Sequence, residues 1–371
     1  MQVSTFAAID IGSYDVTLEI FEISKKAGIK SIDTIRHRLE LGTDTYTHGK
    51  LGPKMEEELC TVLKDFVRIM KGYRVESYRA IATSSLREAE NSLFILGKIR
   101  QATGLTVEIL SNSEQRFLSY KAIASIESRF NKMIEKGTAV IDVDGGSIQI
   151  SLFDKDALVT TQNIRMGNLR IRERLLPLKN DTANYERLAE ELIRNEILSF
   201  KRMYLKDRKI ENIMLIGDFI TDTVFRDTED KASRTISRSD FDAWYQNIVE
   251  HSTMELAVTM DVPVEYASLL RPSAIIYHRL IEEMGAAMIW TPGIHLARGL
   301  AYEYAEQKKL LKVKHDFEND IIMAAKNIGK RYAVNRAHIQ NMEMTAMAVF
   351  DARKRVYGLG ERERLLLRIA G

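Results

Sequence analysis

Residues 7–22, AAIDIGSYDVTLEIFE, superimpose without a gap on residues 139–154, AVIDVDGGSIQISLFD, 132 positions later. Ala, Ile, Asp and Phe recur in register, and the apolar positions between them match. Each copy reads as a strand ending in aspartate, a turn of small residues, and a second, alternating strand. A duplication of this kind predicts two similar α/β domains facing each other. The cleft between paired domains is then the expected place for a ligand.

The bulk properties leave room for this arrangement and close off others. A chain of 371 residues suits two or three domains with ample core. The net charge of +2 gives no footprint for nucleic acid or for a membrane face. No apolar run approaches the roughly 20 residues of a membrane span. MQVSTFAAIDIGS lacks the basic start and apolar core of a signal peptide. The single cysteine, Cys60, excludes an internal disulfide framework, fits a cytoplasmic location, and is expected as a small buried hydrophobe. The seven histidines show no zinc spacing with it.

Local patterns extend the plan. In Lys54–Tyr73, Leu59, Val62, Leu63, Phe66, Ile69 and Met70 fall on one helical face. YRAIATSSL reads as a strand entering a loop, with a helix beginning near Arg87. VEILSNSEQRFLSYKAIASI reads as a short strand and a helix. Helix follows over Asn184–Tyr204, a strand over Glu211–Phe219, and helices to about Met284. A loop and a long helix fill Trp290–Gln307. From Leu311 the pattern is helical only, punctuated at Gly358–Gly360. The expected domains are 1–126, 127–308 and a short all-helical segment, 309–371.

The two turns can do chemistry. Asp10 with Gly12 and Ser13, and Asp142 with Gly145, Gly146 and Ser147, would bring one loop from each domain. Backbone N–H groups in such turns can face phosphate oxygens, and the carboxylates can hold Mg²⁺ against the phosphate. A plain hairpin turn also favours Asp and Gly, so one loop alone would say little. Ser85 and Glu88 have capping-box spacing, which places Arg87 in a first helical turn. A cation there is disfavoured by the helix dipole unless it meets an anion; otherwise it is a surface or salt-bridged arginine. Ser111 and Glu114 have the same spacing, which accounts for Glu114. Gln115, next in line, has no such duty.

At these stretches the sequence resembles the exopolyphosphatase/guanosine pentaphosphate phosphohydrolase (Ppx/GppA) family over about 300 residues. AAIDIGSYD is similar to its first phosphate loop, and IATSSLREAEN to its Thr-x-x-Leu-Arg segment. VEILSNSEQRFL is similar to its Ser-Gly-x-Glu-Glu-Ala-Arg-Leu segment, and VIDVDGGSIQI to its Asp-Ile-Gly-Gly-Gly-Ser-Thr-Glu loop. RMGNLRIRERL resembles the Met-Gly or Leu-Gly segment that follows. The resemblance implies a duplicated actin-like (sugar kinase/Hsp70/actin) fold. It implies Mg²⁺ on Asp10 and Asp142, and phosphate bound by Gly12, Ser13, Thr83, Arg87, Gly145, Gly146 and Ser147.

The tail resembles the opening helices of the HD-like domain of longer members. It stops where that domain's His-Asp pair is expected, so the domain reads as shortened or truncated, with His338 structural or at the surface.

Five departures bear on the chemistry. Gln115 stands where the resemblance places a glutamate that activates water, and Gln149 where it places a second acid. An amide keeps the shape of a carboxylate but accepts no proton; a general base typically contributes ~10²–10⁴-fold. Gln115 can still orient a water. Asp144 replaces the first glycine of the triple, either as a relocated base or metal ligand, or because Asp tolerates the turn's backbone. Tyr14-Asp15 make the first loop bulkier and more acidic. IMLIGDFIT lacks the paired small residues of the family's later turn, which argues against an ATP-like pocket.

The expected activity is hydrolysis of the terminal phosphoanhydride of polyphosphate or guanosine pentaphosphate, weakened at Gln115, Gln149 and Asp144. The rivals are a non-catalytic polyphosphate or alarmone binder on the same fold, and a partner-binding protein with an empty cleft. A homodimer is one option the resemblance leaves open.

Overall fold

The computed structural model describes residues 3–125, 128–176, 185–217, 223–224, 234–311 and 317–370. The first sheet contains β1 (Ser4–Ile11), β2 (Asp15–Ser24), β3 (Gly28–Arg38), β4 (Ser77–Ala82) and β5 (Val107–Ile109), in the order β3-β2-β1-β4-β5. The second contains β6 (Thr138–Val143), β7 (Ile148–Asp154), β8 (Ala157–Ile164), β9 (Asn212–Ile216), β10 (Thr235–Ser237) and β11 (Met288–Trp290). Its order is β10-β11-β9-β6-β7-β8.

The sequence repeat is a repeat of topology. In each lobe the first strand pairs antiparallel with the second and parallel with a later one. The register repeats too. Asp10 faces Thr17 on β2 and Ile81 on β4; Asp142 faces Gln149 on β7 and Ile216 on β9. The duplicated actin-like architecture is therefore the one the chain adopts. β6 is buried along its whole length, and β1 at Phe6–Ile9 and Ile11. Continuous apolar runs belong to such doubly covered strands.

The first sheet is covered by helices that the apolar pattern predicts. The Pro53–Gly72 helix buries Leu59, Val62, Leu63, Phe66 and Met70. Ile69, at the edge of that stripe, is only partly buried, and Cys60 joins the same core. The Leu296–Gln307 helix returns from the second half of the chain to the first sheet. Its Leu300, Ala301 and Ala305 pack with Phe6, Ala8 and Ile81, and Tyr304 stacks on Phe6 at 4.6 Å.

Three helices follow, Phe317–Arg331, Arg336–Tyr357 and Glu361–Ala370. Phe317 anchors them, edge-on to Phe117 at 5.3 Å. His338 is exposed. No described helix is long and apolar enough to cross a membrane.

Candidate functional site

Duplicated strands that end side by side bring their terminal aspartates to one place. Asp10 and Asp142 both line a cavity of about 150 Å³ between the lobes, with Gly12, Ser13, Asp15, Asp144, Gly145 and Gln115. Thr83 lines it as well. Four carboxylates thus share one small, poorly solvated volume. Burial, then the charges of Asp15 and Asp144, push Asp10 up to about 8. Burial, then Asp144, holds Asp142 well above the usual carboxylate range, although Ser119 Oγ donates to its Oδ2 at 3.3 Å. Asp144 is raised as well, chiefly by burial, against the Gln115 hydrogen bond and the Arg87 charge. Like charges out of water disfavour one another's ionisation.

The first loop differs from a free phosphate cradle. The Gly12 N–H is already engaged, donating to the Asp15 carbonyl at 2.9 Å. Ser13 Oγ lies 2.6 Å from the Tyr46 hydroxyl and 2.8 Å from Ser84 Oγ, which are 2.9 Å from each other. This triangle of hydroxyls ties the turn to the Leu41–His48 helix and to the Ser84–Glu88 turn.

The second loop is packed against it. Gly146 and Ser147 do not line the cavity. A Cβ on Gly146 would come within 2.2 Å of the Tyr46 oxygen and 2.6 Å of Ser84 Oγ, so only glycine fits. Ser147 is buried, and its Oγ finds no hydrogen-bond partner. Asp144 does not adopt the left-handed backbone, so tolerance of a strained turn does not explain it. Its carboxylate instead receives the Gln115 amide N–H on Oδ2. Gln149 lies close enough to Asp144 to influence it, yet neither of its amide atoms makes a well-formed hydrogen bond.

Arg87 occupies a different place from the one its spacing suggests. The helix begins at Ser84, not after Ser85, and Arg87 lies in its last turn. Both members of the expected capping box are committed elsewhere. Ser85 Oγ donates to the Gly12 carbonyl at 3.0 Å, and Glu88 accepts from Arg170 Nη2 at 2.8 and 2.9 Å. Arg87 Nη1 donates to the Leu110 carbonyl at 2.7 Å and to Gln115 Oε1 at 3.4 Å. It therefore stands behind Gln115 and not on the cavity wall. The capping box predicted at Ser111 and Glu114 does form, and it sets Gln115 in the first turn of the Asn112–Ala124 helix.

Several side chains that shape the site were not singled out in the sequence. Arg170 stacks over the Tyr46 ring at 4.0 Å and donates from Nε to the Gly146 carbonyl at 2.9 Å. It therefore joins the second loop to Glu88 of the first lobe. Gly167 is what allows its helix to sit so close, since a Cβ there would lie 2.2 Å from the Asp144 carbonyl oxygen. Arg36, on β3, also lines the cavity. The turn predicted after Ile213 reaches Gly217; residues 218–222 lie outside the described residues.

The sequence profile of the Ppx/GppA phosphatase family matches residues 20–308. The chain belongs to this family. Exopolyphosphatase 1 of Mycobacterium tuberculosis is 23% identical over 169 residues, 46% of this chain and 48% of that protein. The guanosine-5'-triphosphate,3'-diphosphate pyrophosphatase of Photobacterium profundum is 21% identical over 366 residues, 93% of this chain and 67% of that protein. The crystal structure of the Aquifex aeolicus family member superposes with a TM-score of 0.67 at 20% identity, covering 83% of this chain and 99% of that one. The chain spans less than half the length of several curated relatives it matches. The matched region contains Thr83, Arg87, Gln115, Asp142, Asp144 and Gln149, while Asp10, Gly12 and Ser13 precede it.

Proposed function

We propose that this Ppx/GppA chain hydrolyses the terminal phosphoanhydride of inorganic polyphosphate or of guanosine pentaphosphate, with Mg²⁺. The observation that carries the reading is the convergence of Asp10 and Asp142, from duplicated strand ends, on one cavity. Asp10 Oδ1 is buried there with no hydrogen-bond partner. A divalent cation would satisfy that atom and offset the crowded carboxylates. Among the described residues no three histidine, cysteine or carboxylate groups form a chelating set. Two carboxylates, Asp10 and Asp142, without a full protein cage would suit Mg²⁺, which keeps several waters and shares its remaining positions with phosphate. Asp10 and Asp142 would hold it, and it would offset charge building on the phosphate oxygens.

The chain's own groups supply the rest. Thr83, Ser13 and Gly145 line the cavity, and in this reading they would meet the phosphate from the loop side. Gln115 orients the attacking water and cannot take its proton. The carboxylate that Gln115 holds, Asp144, lies on the same wall and is the acceptor within reach. Arg87 acts through Gln115, fixing its Oε1 so that its N–H groups point inward. Cytoplasmic action on a soluble anion is part of this reading.

The second reading is a polyphosphate or alarmone binder without turnover. It is favoured by the amides at 115 and 149, which leave the family's proton-accepting positions neutral. Phosphate release from polyphosphate with Mg²⁺, set beside the ligand-induced rise in melting temperature, separates the two. Release supports the hydrolase. A rise without release supports the binder.

A further inference from the structure

The lobes carry equivalent rows of side chains across their sheets. In the first lobe the row is Asp10 on β1, Thr17 on β2 and Arg36 on β3. In the second it is Asp142 on β6, Gln149 on β7 and Asn163 on β8. Directly paired residues project from the same face of a sheet, about 5 Å apart per strand. The two rows are not used alike. Asp10, Thr17 and Arg36 all line the cavity, whereas of the second row only Asp142 does. The cavity therefore opens along β2 and β3 of the first lobe. Thr34, two residues before Arg36 and so on the same face, continues its wall.

Arg36 is the one arginine or lysine among the described residues of that wall. Its Nε lies 3.4 Å from Asp15 Oδ2, and its side chain is 33% exposed. His295 lines the same cavity. Burial first, and the Arg36 charge second, push His295 down to about 4, so it is neutral and adds no second cation. An anion reaching along the row from Asp10 meets two threonine hydroxyls and then the Arg36 guanidinium beside the partly buried Asp15 carboxylate.

We propose that Thr17, Thr34 and Arg36 form the subsite for the leaving portion of the substrate, the phosphates that follow the one cleaved. This rests on the hydrolase reading above. Arg36 exchanges its contact with Asp15 for a non-bridging phosphate oxygen, and the threonines donate hydroxyl hydrogens. A guanidinium suits this role because its planar donors match phosphate geometry. Asp15 then acts as a competitor that keeps weak anions off the site.

The test compares the protein as it stands with Arg36→Gln, Arg36→Lys, Thr17→Val and Asp15→Asn, using tripolyphosphate and long-chain polyphosphate with Mg²⁺. Phosphate release gives kcat and KM, and the ligand-dependent melting temperature gives binding. Arg36→Gln is expected to raise KM about tenfold with kcat changed less than about threefold. Arg36→Lys, which keeps the charge and loses the planar fork, should recover only part of the loss, and Thr17→Val should show a smaller rise. Asp15→Asn should move KM the other way, downward, which a merely structural role for the pair does not predict. If the protein binds without turnover, the same order in ligand-induced stabilisation supports the subsite. An Arg36→Gln protein that matches the parent in KM or in stabilisation overturns the subsite and leaves the hydrolase reading standing. A parent protein that neither releases phosphate nor is stabilised by either polyphosphate overturns both.

Discussion

The Gln115 side-chain amide donates to the carboxylate of Asp144, and its oxygen accepts from Arg87. The two side chains are thus partners on the cavity wall. The amide at 115 suits a carboxylate at 144, because a glutamate there would set two acids in contact at the cavity wall.

That pairing predicts how a reversion behaves. Gln115→Glu alone should not raise turnover, since the new carboxylate faces Asp144. Gln115→Glu combined with Asp144→Gly removes the conflict. The double variant is expected to exceed the single one by about tenfold or more in kcat. Phosphate-release kinetics on the three proteins decide it; equal rates in single and double variants would show that the two positions are independent.

The crowded carboxylates predict a trade of stability for function. Asp10 binds its proton more tightly folded, at about 8, than unfolded, at 3.8. Between those values the folded state holds more protons, so its stability falls as pH rises. Asp10→Asn removes that cost. Without Mg²⁺ its melting temperature should exceed the parent's by a margin that grows from about pH 5 to about pH 8. Added Mg²⁺ should raise the parent's melting temperature and close the gap. Thermal melts across pH with and without Mg²⁺ measure both, and a margin that shrinks toward high pH contradicts the account.

The contact between loops predicts a paired effect. Gly146→Ala places a methyl 2.2 Å from the Tyr46 oxygen and 2.6 Å from Ser84 Oγ. Overpacking of this kind costs about 1–3 kcal/mol. Tyr46→Phe removes the nearer oxygen, so Gly146→Ala should cost measurably less in that background. Denaturant unfolding of the double-mutant cycle reads the coupling, and additive costs would mean that the loops are not in contact.

Arg170 should matter more than any exposed arginine nearby. It joins Glu88, the Tyr46 ring and the Gly146 carbonyl from a largely buried position. Arg165, which also reaches Glu88, is 71% exposed. Arg170→Ala is expected to destabilise the protein by about 2 kcal/mol or more, and Arg165→Ala by less than about 0.5 kcal/mol. Chemical denaturation of the two variants checks the ranking.

The sequence disclosed the fold through its repeat because strand registers are local consequences of alternating patterns. The pairing of Asp142 with Gln149 follows from the pairing of Asp10 with Thr17 once the copies are aligned. The capping box at Ser111 was legible for the same reason: both members lie within one turn. The similar spacing at Ser85 misled, because distant groups, the Gly12 carbonyl and Arg170, took both side chains. Arg36 was silent in the sequence. Its place depends on the β2–β3 register, which shifts at a bulge between Ile20 and Phe21. Tyr46 gave no signal either, since its contacts to Ser13, within the first lobe, and to Gly146, across to the second, come from tertiary packing.

The central claim is that Asp10 and Asp142 hold the Mg²⁺ that serves phosphate cleavage. The most direct measurement is Mg²⁺-dependent phosphate release from long-chain polyphosphate by the protein and by Asp142→Ala. The account predicts slow release by the protein, dependence on Mg²⁺, and loss of release in Asp142→Ala. Undiminished release by that variant would contradict it, and the chemistry would then have to be sought away from this cavity.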